Sequence, residues 1–377
     1  MNTTAKAAAA IAVLLVVLVG GFFAYSYVGG GSSSTGTSSS KSSTSSTSSV
    51  PIVQCCSTDL VRIGYFANIN HAQALVGLLN GDYQRSVGSS VQIQTTLFTA
   101  GPTEMTALLA GQLDMAYVGP SPAVNAFMAA NGTSIRILAG ASNGGALFVV
   151  TDASGIRNAS SGGVTSQLMG KTFLGPQLGN TQDIALRSYL VSNHLAPGTN
   201  VTVEDTSNSN IVTALVGNKA DGAWVPQPYA SLILSKAKAH VFLDERSLWP
   251  GGNFSTAELV VSVSFLTAHP DVVERIVAAH VNETLWINSH LTEAMKLMNG
   301  TIVAKTGLGI SASVLTASLS TLTFTYDPLV ASVQQQADQA YRLGFLKSQP
   351  NLNGLFDLTI LNEVLTQRGL PTITGQV

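Results

Sequence analysis

Leu113-Asp114-Met115-Ala116-Tyr117-Val118-Gly119-Pro120-Ser121-Pro122-Ala123 is the stretch from which the fold is read. Met115 to Val118 are four apolar residues bounded by turn signals, a run that predicts a buried strand. Gly119-Pro120-Ser121-Pro122 then turns the chain. Proline presets φ and has no N–H to lose in a first helical turn, so a helix is expected over residues 123–130. Strand, tight turn and helix recur on both sides. Upstream, residues 60–65 read as a strand. Asn70-His71-Ala72-Gln73 reads as a helix start, with Asn70 as N-cap and Gln73 at the third position. Residues 91–98 alternate apolar and polar, a second strand, and Gly101-Pro102-Thr103 leads a helix that Gly111 stops. Downstream, residues 135–138, 146–150 and 172–174 read as strands. Asn180 caps a helix over residues 181–192, with Asp183 where the helix dipole favours it. Further strands are expected at 201–203, 221–225, 241–243 and 259–263, with a helix at 211–217. Beyond Pro270 the pattern turns helical, at 272–297, 312–319, 329–343 and 358–367. This alternation defines an α/β protein with parallel sheets covered by helices on both faces.

The chain has 377 residues, 45% of them hydrophobic, enough for about two domains with their own cores. Only 10% are charged and the net charge is −2, which excludes a nucleic-acid binder that must neutralise phosphates. The 2 cysteines, Cys55 and Cys56, are neighbours, so a disulfide scaffold, a cysteine zinc site and an iron–sulfur cluster are excluded. A vicinal disulfide between them, an interchain bridge and a local feature with no ligand role all remain open.

Residues 1–28 read as a membrane segment. Residues 7–28 carry no charge, and about 20 apolar residues suffice to span a bilayer core. A retained anchor with Lys6 on the cytoplasmic side is the favoured reading, and a cleaved signal peptide the competing one. Residues 29–58 are a Gly/Ser/Thr-rich linker or stalk that has too little apolar surface to fold. Beyond it lie six Asn-x-Ser/Thr sequons, at Asn131, Asn158, Asn200, Asn253, Asn282 and Asn299, glycosylation candidates in a protein whose folded part lies outside the cell.

Several spaced motifs occur in one order. They are Phe98-Thr99-Ala100-Gly101-Pro102-Thr103-Glu104, the stretch from Leu113 to Ala123, Gly170-Lys171-Thr172, Pro176-Gln177-Leu178-Gly179-Asn180-Thr181-Gln182-Asp183, Asp221-Gly222-Ala223-Trp224-Val225-Pro226-Gln227-Pro228, and Ser247-Leu248-Trp249-Pro250-Gly251-Gly252. With them the chain, from about Asp59 onward, resembles the nitrate/sulfonate/taurine family of solute-binding proteins of ABC importers, in the NMT1-like superfamily. The resemblance implies a type II periplasmic-binding-protein fold, two α/β lobes joined by two crossovers with a ligand cleft between them. The crossovers are expected near residues 148–153 and 260–265. Lobe 1 would then combine 59–150 with 265–377, and lobe 2 would be 153–260. It also implies an ABC permease and its ATPase as partners. Many relatives carry Glu where this chain has Gln227, which argues against a ligand with an ammonium group, such as taurine.

In open α/β sheets ligands sit beyond the strand C-termini, where helix N-termini offer free N–H groups and a positive dipole end. Four strand-to-helix turns qualify, at residues 67–73, 99–103, 119–121 and 179–182. They supply Asn68, Asn70, His71, Gln73, Thr99, Gly101, Gly119, Pro120, Ser121, Gly179, Asn180, Thr181 and Gln182 as candidate ligand-binding residues; Trp224, read as cleft wall or interlobe packing, and Gln227 are added to them. None of these turns contains Lys or Arg. Neutral donors alone suit a weakly basic oxyanion such as an aliphatic sulfonate or nitrate. Enzyme readings fail on the motifs: Gly170-Lys171-Thr172 lacks the P-loop spacing, no His-Glu-x-x-His occurs, and the 6 histidines are scattered without metal-ligand spacing. No cofactor and no metal are expected. The alternative is a surface structural or adhesive glycoprotein built on the same fold, whose cleft loops should then be bulky rather than small and polar.

Overall fold

The computed structural model describes residues 59–307 and 309–374. Residues 1–58, with the expected anchor, stalk and cysteine pair, lie outside the described residues. The chain runs β1 (Asp59–Phe66), a 3-10 turn (Ile69–His71), a π-helical turn (Ala74–Leu78), α1 (Asp82–Val87), β2 (Val91–Phe98), α2 (Gly101–Leu109), β3 (Met115–Val118), α3 (Pro120–Ala129) and β4 (Ile135–Gly144). It continues through β5 (Ala146–Thr151), α4 (Val164–Leu168), β6 (Thr172–Gly175), α5 (Thr181–Ser192), β7 (Thr202–Asp205), α6 (Asn208–Val216), β8 (Gly222–Pro226), α7 (Tyr229–Lys236) and β9 (Ala239–Asp244). It ends with β10 (Ser255–Ser262), α8 (Val263–Ala268), α9 (Pro270–Ser289), α10 (Leu291–Thr306), α11 (Ala312–Leu319), β11 (Leu322–Phe324), α12 (Val330–Arg342) and α13 (Thr359–Gln367).

Two sheets organise these elements. One has the order β11-β4-β10-β3-β1-β2, the other β7-β6-β8-β5-β9. The βα units are parallel as expected: β1 pairs with β2 and β3, and β6 with β7 and β8. Both sheets are nevertheless mixed. β10 lies antiparallel to β3 and β4, and β5 antiparallel to β8 and β9. Each of these strands begins just after the chain has crossed from the other sheet, so each enters against the direction of the βα strands.

This pairing moves both expected crossovers towards the N-terminus. β5 belongs to the second sheet, so the first crossing is at Gly144-Gly145 rather than 148–153. β10 belongs to the first, so the second crossing lies between Asp244 and Ser255 rather than at 260–265. The glycine pair has a physical reason. Gly144 and Gly145 have φ of 79° and 83°, and a Cβ on Gly145 would stand 2.8 Å from Asn70 Nδ2 and from Leu322 Cδ2.

Strand residues alternate between cores. Val61, Ile63, Tyr65, Met115 and Tyr117 pack in one core with Val273 and Val277 of α9, while Ala116, Val118 and Val260 pack in another with Phe127. In the second sheet Phe148, Phe173, Trp224 and Phe242 form a separate aromatic core. Buried α9 also carries His280, which bridges Tyr117 Oη at 2.8 Å and the Gly140 carbonyl at 2.7 Å, so its polar atoms are satisfied. The helix expected over 272–297 is two helices broken at His290, and β11 was not expected; at three residues it is too short to carry a period.

Candidate functional site

Three helices bring their first turns to one small cavity. α3 starts after Gly119, α5 after Asn180 and α6 after Ser207, each following a parallel strand of its sheet. The cavity, of about 10 Å³, is lined from the first lobe by Phe66, Asn68, Asn70, His71, Gly119 and Thr256. Asn180, Thr181, Gln182, Asn208 and Pro226 line it from the second. Its space matches about one water-sized group. The lobes meet tightly here: a Cβ on Gly119 would lie 2.3 Å from Thr181 Oγ1. The φ of Gly119 is −68°, which any residue adopts, so the close approach alone calls for glycine.

The polar atoms at these first turns are unusual for a folded interior. Asn70 Oδ1, Ser121 Oγ, Thr181 Oγ1 and Asn208 Oδ1 are all buried without a hydrogen-bond partner. A buried polar atom left unpaired costs about 1–3 kcal/mol. Three of them, on Asn70, Thr181 and Asn208, belong to residues that line one cavity, and they mark a place where a ligand or water completes the set. Asn70 is held by its other end: Nδ2 donates to Thr256 Oγ1 at 2.9 Å and to the Gly144 carbonyl at 3.1 Å. The same network ties the site to the crossing glycines.

His71 is 2% exposed, stacks on Phe66 with ring centroids 4.7 Å apart, and accepts the Phe66 N–H at Nδ1, 3.2 Å away. Burial pushes its pKa down to about 3. The ring is therefore neutral with its proton on Nε2, a donor without net charge.

A second cavity of about 140 Å³ adjoins the first, sharing Phe66, Asn68 and Asn208 with it. Its walls are apolar at Leu97, Phe98 and Tyr229 and polar at Thr99, Ser207 and Ser209. Neither cavity is lined by Lys, Arg, Asp or Glu.

Of the residues singled out in the sequence, Asn68, Asn70, His71, Gly119, Asn180, Thr181 and Gln182 line the inner cavity, and Thr99 lines the outer one. Pro120 and Ser121 occupy the first turn of α3. Asn180 is the N-cap of α5 as expected, its Oδ1 accepting the Thr181 N–H at 3.0 Å. The capping box at Asn70 and Gln73 is not formed, because both amide nitrogens donate into the first sheet, to Gly144 and Ala141 of β4 and Thr256 of β10. Gln73 Nε2 donates to the Ala141 carbonyl and Thr284 Oγ1, away from the cavities. Trp224 is not cleft wall. It is fully buried, stacked on Phe148, and donates to Glu245 Oε2 at 2.6 Å. Gln227 is also fully buried; its Oε1 accepts the Ser231 N–H and its Nε2 donates to Thr321. Gly101 packs against Pro122, and Gly179 (φ 79°) donates its N–H to Asp183 Oδ2. Neither lines a cavity.

Asn208, Ser207, Thr256 and Tyr229 were not singled out. Thr206-Ser207-Asn208-Ser209-Asn210 follows a strand and precedes a helix, the same signal used elsewhere, and would have found the first two. Thr256 and Tyr229 carry no local signal.

A double α/β lobe with a polar cleft at helix N-termini is the architecture of a periplasmic binding protein. The chain belongs to the NMT1-like family, whose sequence model matches residues 57–301. Solved structures share the fold. One is the periplasmic nitrate-binding protein NrtA of Synechocystis PCC 6803 (13% identity, 84% of this chain and 90% of that one, TM-score 0.70). Another is the alkanesulfonate-binding protein SsuA of Xanthomonas axonopodis pv. citri bound to MOPS (18%, 79% and 98%, 0.63). A third is a ligand-binding component of an ABC-type import system from Staphylococcus aureus with zinc bound (16%, 81% and 99%, 0.65). No curated protein matches the sequence. Among the described residues no helix is long and apolar enough to cross a membrane.

Proposed function

We propose that the protein is the extracellular solute-binding component of an ABC importer, and that it captures a small oxyanion, an aliphatic sulfonate or nitrate, without chemical change. One observation carries this reading: unpartnered, buried, neutral polar groups from both lobes face one cavity that no charged side chain lines. The Thr181 hydroxyl, the His71 Nε2–H and the first-turn N–H groups of α5 and α6 are donors, and the dipole ends of the helices favour negative charge. Asn70 Oδ1 is an acceptor and takes a water or a ligand hydroxyl. The adjoining apolar walls at Leu97, Phe98 and Tyr229 receive the tail of a sulfonate, which favours it over nitrate. Lobe closure about Gly144-Gly145 and the second crossing traps the solute, and the closed form delivers it to a membrane permease. Residues 1–28 tether the domain and 29–58 space it from the membrane. The exposed sequon residues Asn131, Asn158, Asn253 and Asn282 are the better glycan acceptors, since Asn200 and Asn299 are half-buried and accept backbone N–H groups. A purely structural role leaves the unpaired cleft groups without a use.

Calorimetric titration of the full chain with nitrate, ethanesulfonate and hexanesulfonate tests the reading. Binding of a sulfonate is expected, weakened about tenfold or more in Thr181→Ala, since a hydrogen bond to a charged group contributes roughly 1.5–3 kcal/mol. Folded, ligand-free protein that binds none of the three overturns it.

A further inference from the structure

The largest cavity among those described lies outside the cleft. It measures about 370 Å³, within the usual range for ligand pockets of about 300–1,000 Å³. One wall is α5, whose first turn serves the cleft and whose later turns present Ser188, Tyr189 and Ser192 here. The facing wall is α12, with Gln335, Gln339 and Arg342 spaced to share one helix face. The floor is Trp249, 7% exposed, beside the buried Glu245 carboxyl. A second cavity of about 350 Å³ continues past Trp249 and Gln335 to Asn253, Asp327 and Leu329. The two form one groove with the indole at its middle.

The middle of this groove, between Arg342 and Asp327, is rich in neutral hydrogen-bonding groups. The Gln335 and Gln339 amides have no hydrogen-bond partner among the described residues. The Trp249 N–H is buried and reaches no acceptor within hydrogen-bond distance, though it faces the Glu245 carboxyl closely enough to favour its charged form. Burial outweighs this and raises the Glu245 pKa to about 8, so the group stays protonated in acid and near neutrality. Arg342 at one end and Asp327 at the other balance in charge. Leu329, at the far end, sits in the left-handed region with φ 52°, a strained conformation for a branched residue. Two facing helices that merely packed together would carry apolar residues on these faces.

We infer that this groove is a second binding site, for an uncharged, hydroxyl-rich ligand of oligosaccharide type. Glutamine amides donate and accept at once, matching vicinal hydroxyls, and the indole supplies a flat apolar floor for a sugar ring. The walls come from α5, which carries the Thr181 turn of the cleft, and from α12, which also packs on α3. The site is thus placed to read whether the lobes are closed.

The test uses the full chain, made in a host that attaches no N-glycan so that Asn253 is bare. Maltose, trehalose and cellobiose are titrated by calorimetry up to roughly 10 mM. At least one is expected to bind. Gln335→Ala with Gln339→Ala should weaken it about tenfold, and Trp249→Ala, which removes the flat floor, by about as much. Thr181→Ala should leave it unchanged. The inference is overturned if none of the sugars binds to protein shown to be folded. It is overturned equally if binding survives the groove variants and is lost in Thr181→Ala, which would place the sugar in the cleft. Failure of the anion titration would not touch it, since the two sites share no lining residue.

Discussion

Replacing Gly119 by alanine should obstruct lobe closure and little else. The added Cβ would lie 2.3 Å from Thr181 Oγ1 and 3.3 Å from Thr181 Cβ. Ordinary contacts between such atoms are nearer about 3.5 Å, so the lobes must stay roughly 1 Å further apart or Thr181 must leave its rotamer. The backbone of Gly119 (φ −68°, ψ 152°) accommodates alanine without strain, so the substitution acts only where the lobes meet. Overpacking of this kind costs about 1–3 kcal/mol, which corresponds to a loss of roughly 5- to 150-fold in sulfonate affinity. The assay is calorimetric titration of Gly119→Ala, Thr181→Ala and the double variant. Thr181→Ala removes the clashing hydroxyl, so it should harm binding less in the Gly119→Ala background than alone, a coupling of about 1–2 kcal/mol. Wild-type affinity in Gly119→Ala, or strictly additive effects, would refute the tight approach of the two turns.

Trp224→Phe should lower unfolding stability by about 1–3 kcal/mol, because buried Glu245 loses its 2.6 Å donor, while sulfonate affinity stays unchanged; denaturant melts and titrations separate the two. Anion affinity should be flat between about pH 5 and 8, because His71 is depressed to about 3 and no other ionisable group that titrates there lines the cavity; a midpoint near 6.5 would contradict this. Thermal stability should fall as pH rises from about 6.5 through about 8, a range in which buried His71 and His280, with pKa lowered to about 3 and about 4, are neutral in the folded and largely neutral in the unfolded chain. Burial raises Glu245 and Glu283 from 4.5 to about 8, the second aided by Asp82, and raises Glu104 and Glu258 well above their usual value. The folded protein thus holds carboxyl protons that the unfolded chain has released, and stability falls as pH rises from about 6.5 through about 8. A melting temperature that climbs over that range would contradict it.

The elements most legible in the sequence were those whose signal is local. The run Met115 to Val118 gave the strand to the residue, the following Gly-Pro-Ser-Pro announced a helix that begins at Pro120, three residues before the expected start, and Asn180 was recognisable as a cap. Pairing is not local. Nothing within residues 146–150 states that this strand joins the second sheet, because a strand buried on both faces looks alike in either. The same limit applies to the site. Turns rich in Asn, Ser and Thr were visible, and most of them meet at the cavity. Whether an amide turns to the ligand or away from it depends on partners far away in sequence, such as Thr284 for Gln73 and Thr321 for Gln227. Trp224 misled for a related reason: a tryptophan beside a cleft motif serves the core when a distant carboxyl, Glu245, takes its N–H.

The central claim is that a small anion is held by neutral groups from both lobes. A crystal structure of the protein grown with ethanesulfonate tests it most directly. The expected result is a sulfonate within hydrogen-bond distance of Thr181 Oγ1 and His71 Nε2, with no Lys or Arg touching it and its tail towards Leu97 and Phe98. A cleft that stays empty, or a sulfonate bound by basic side chains elsewhere, would contradict it.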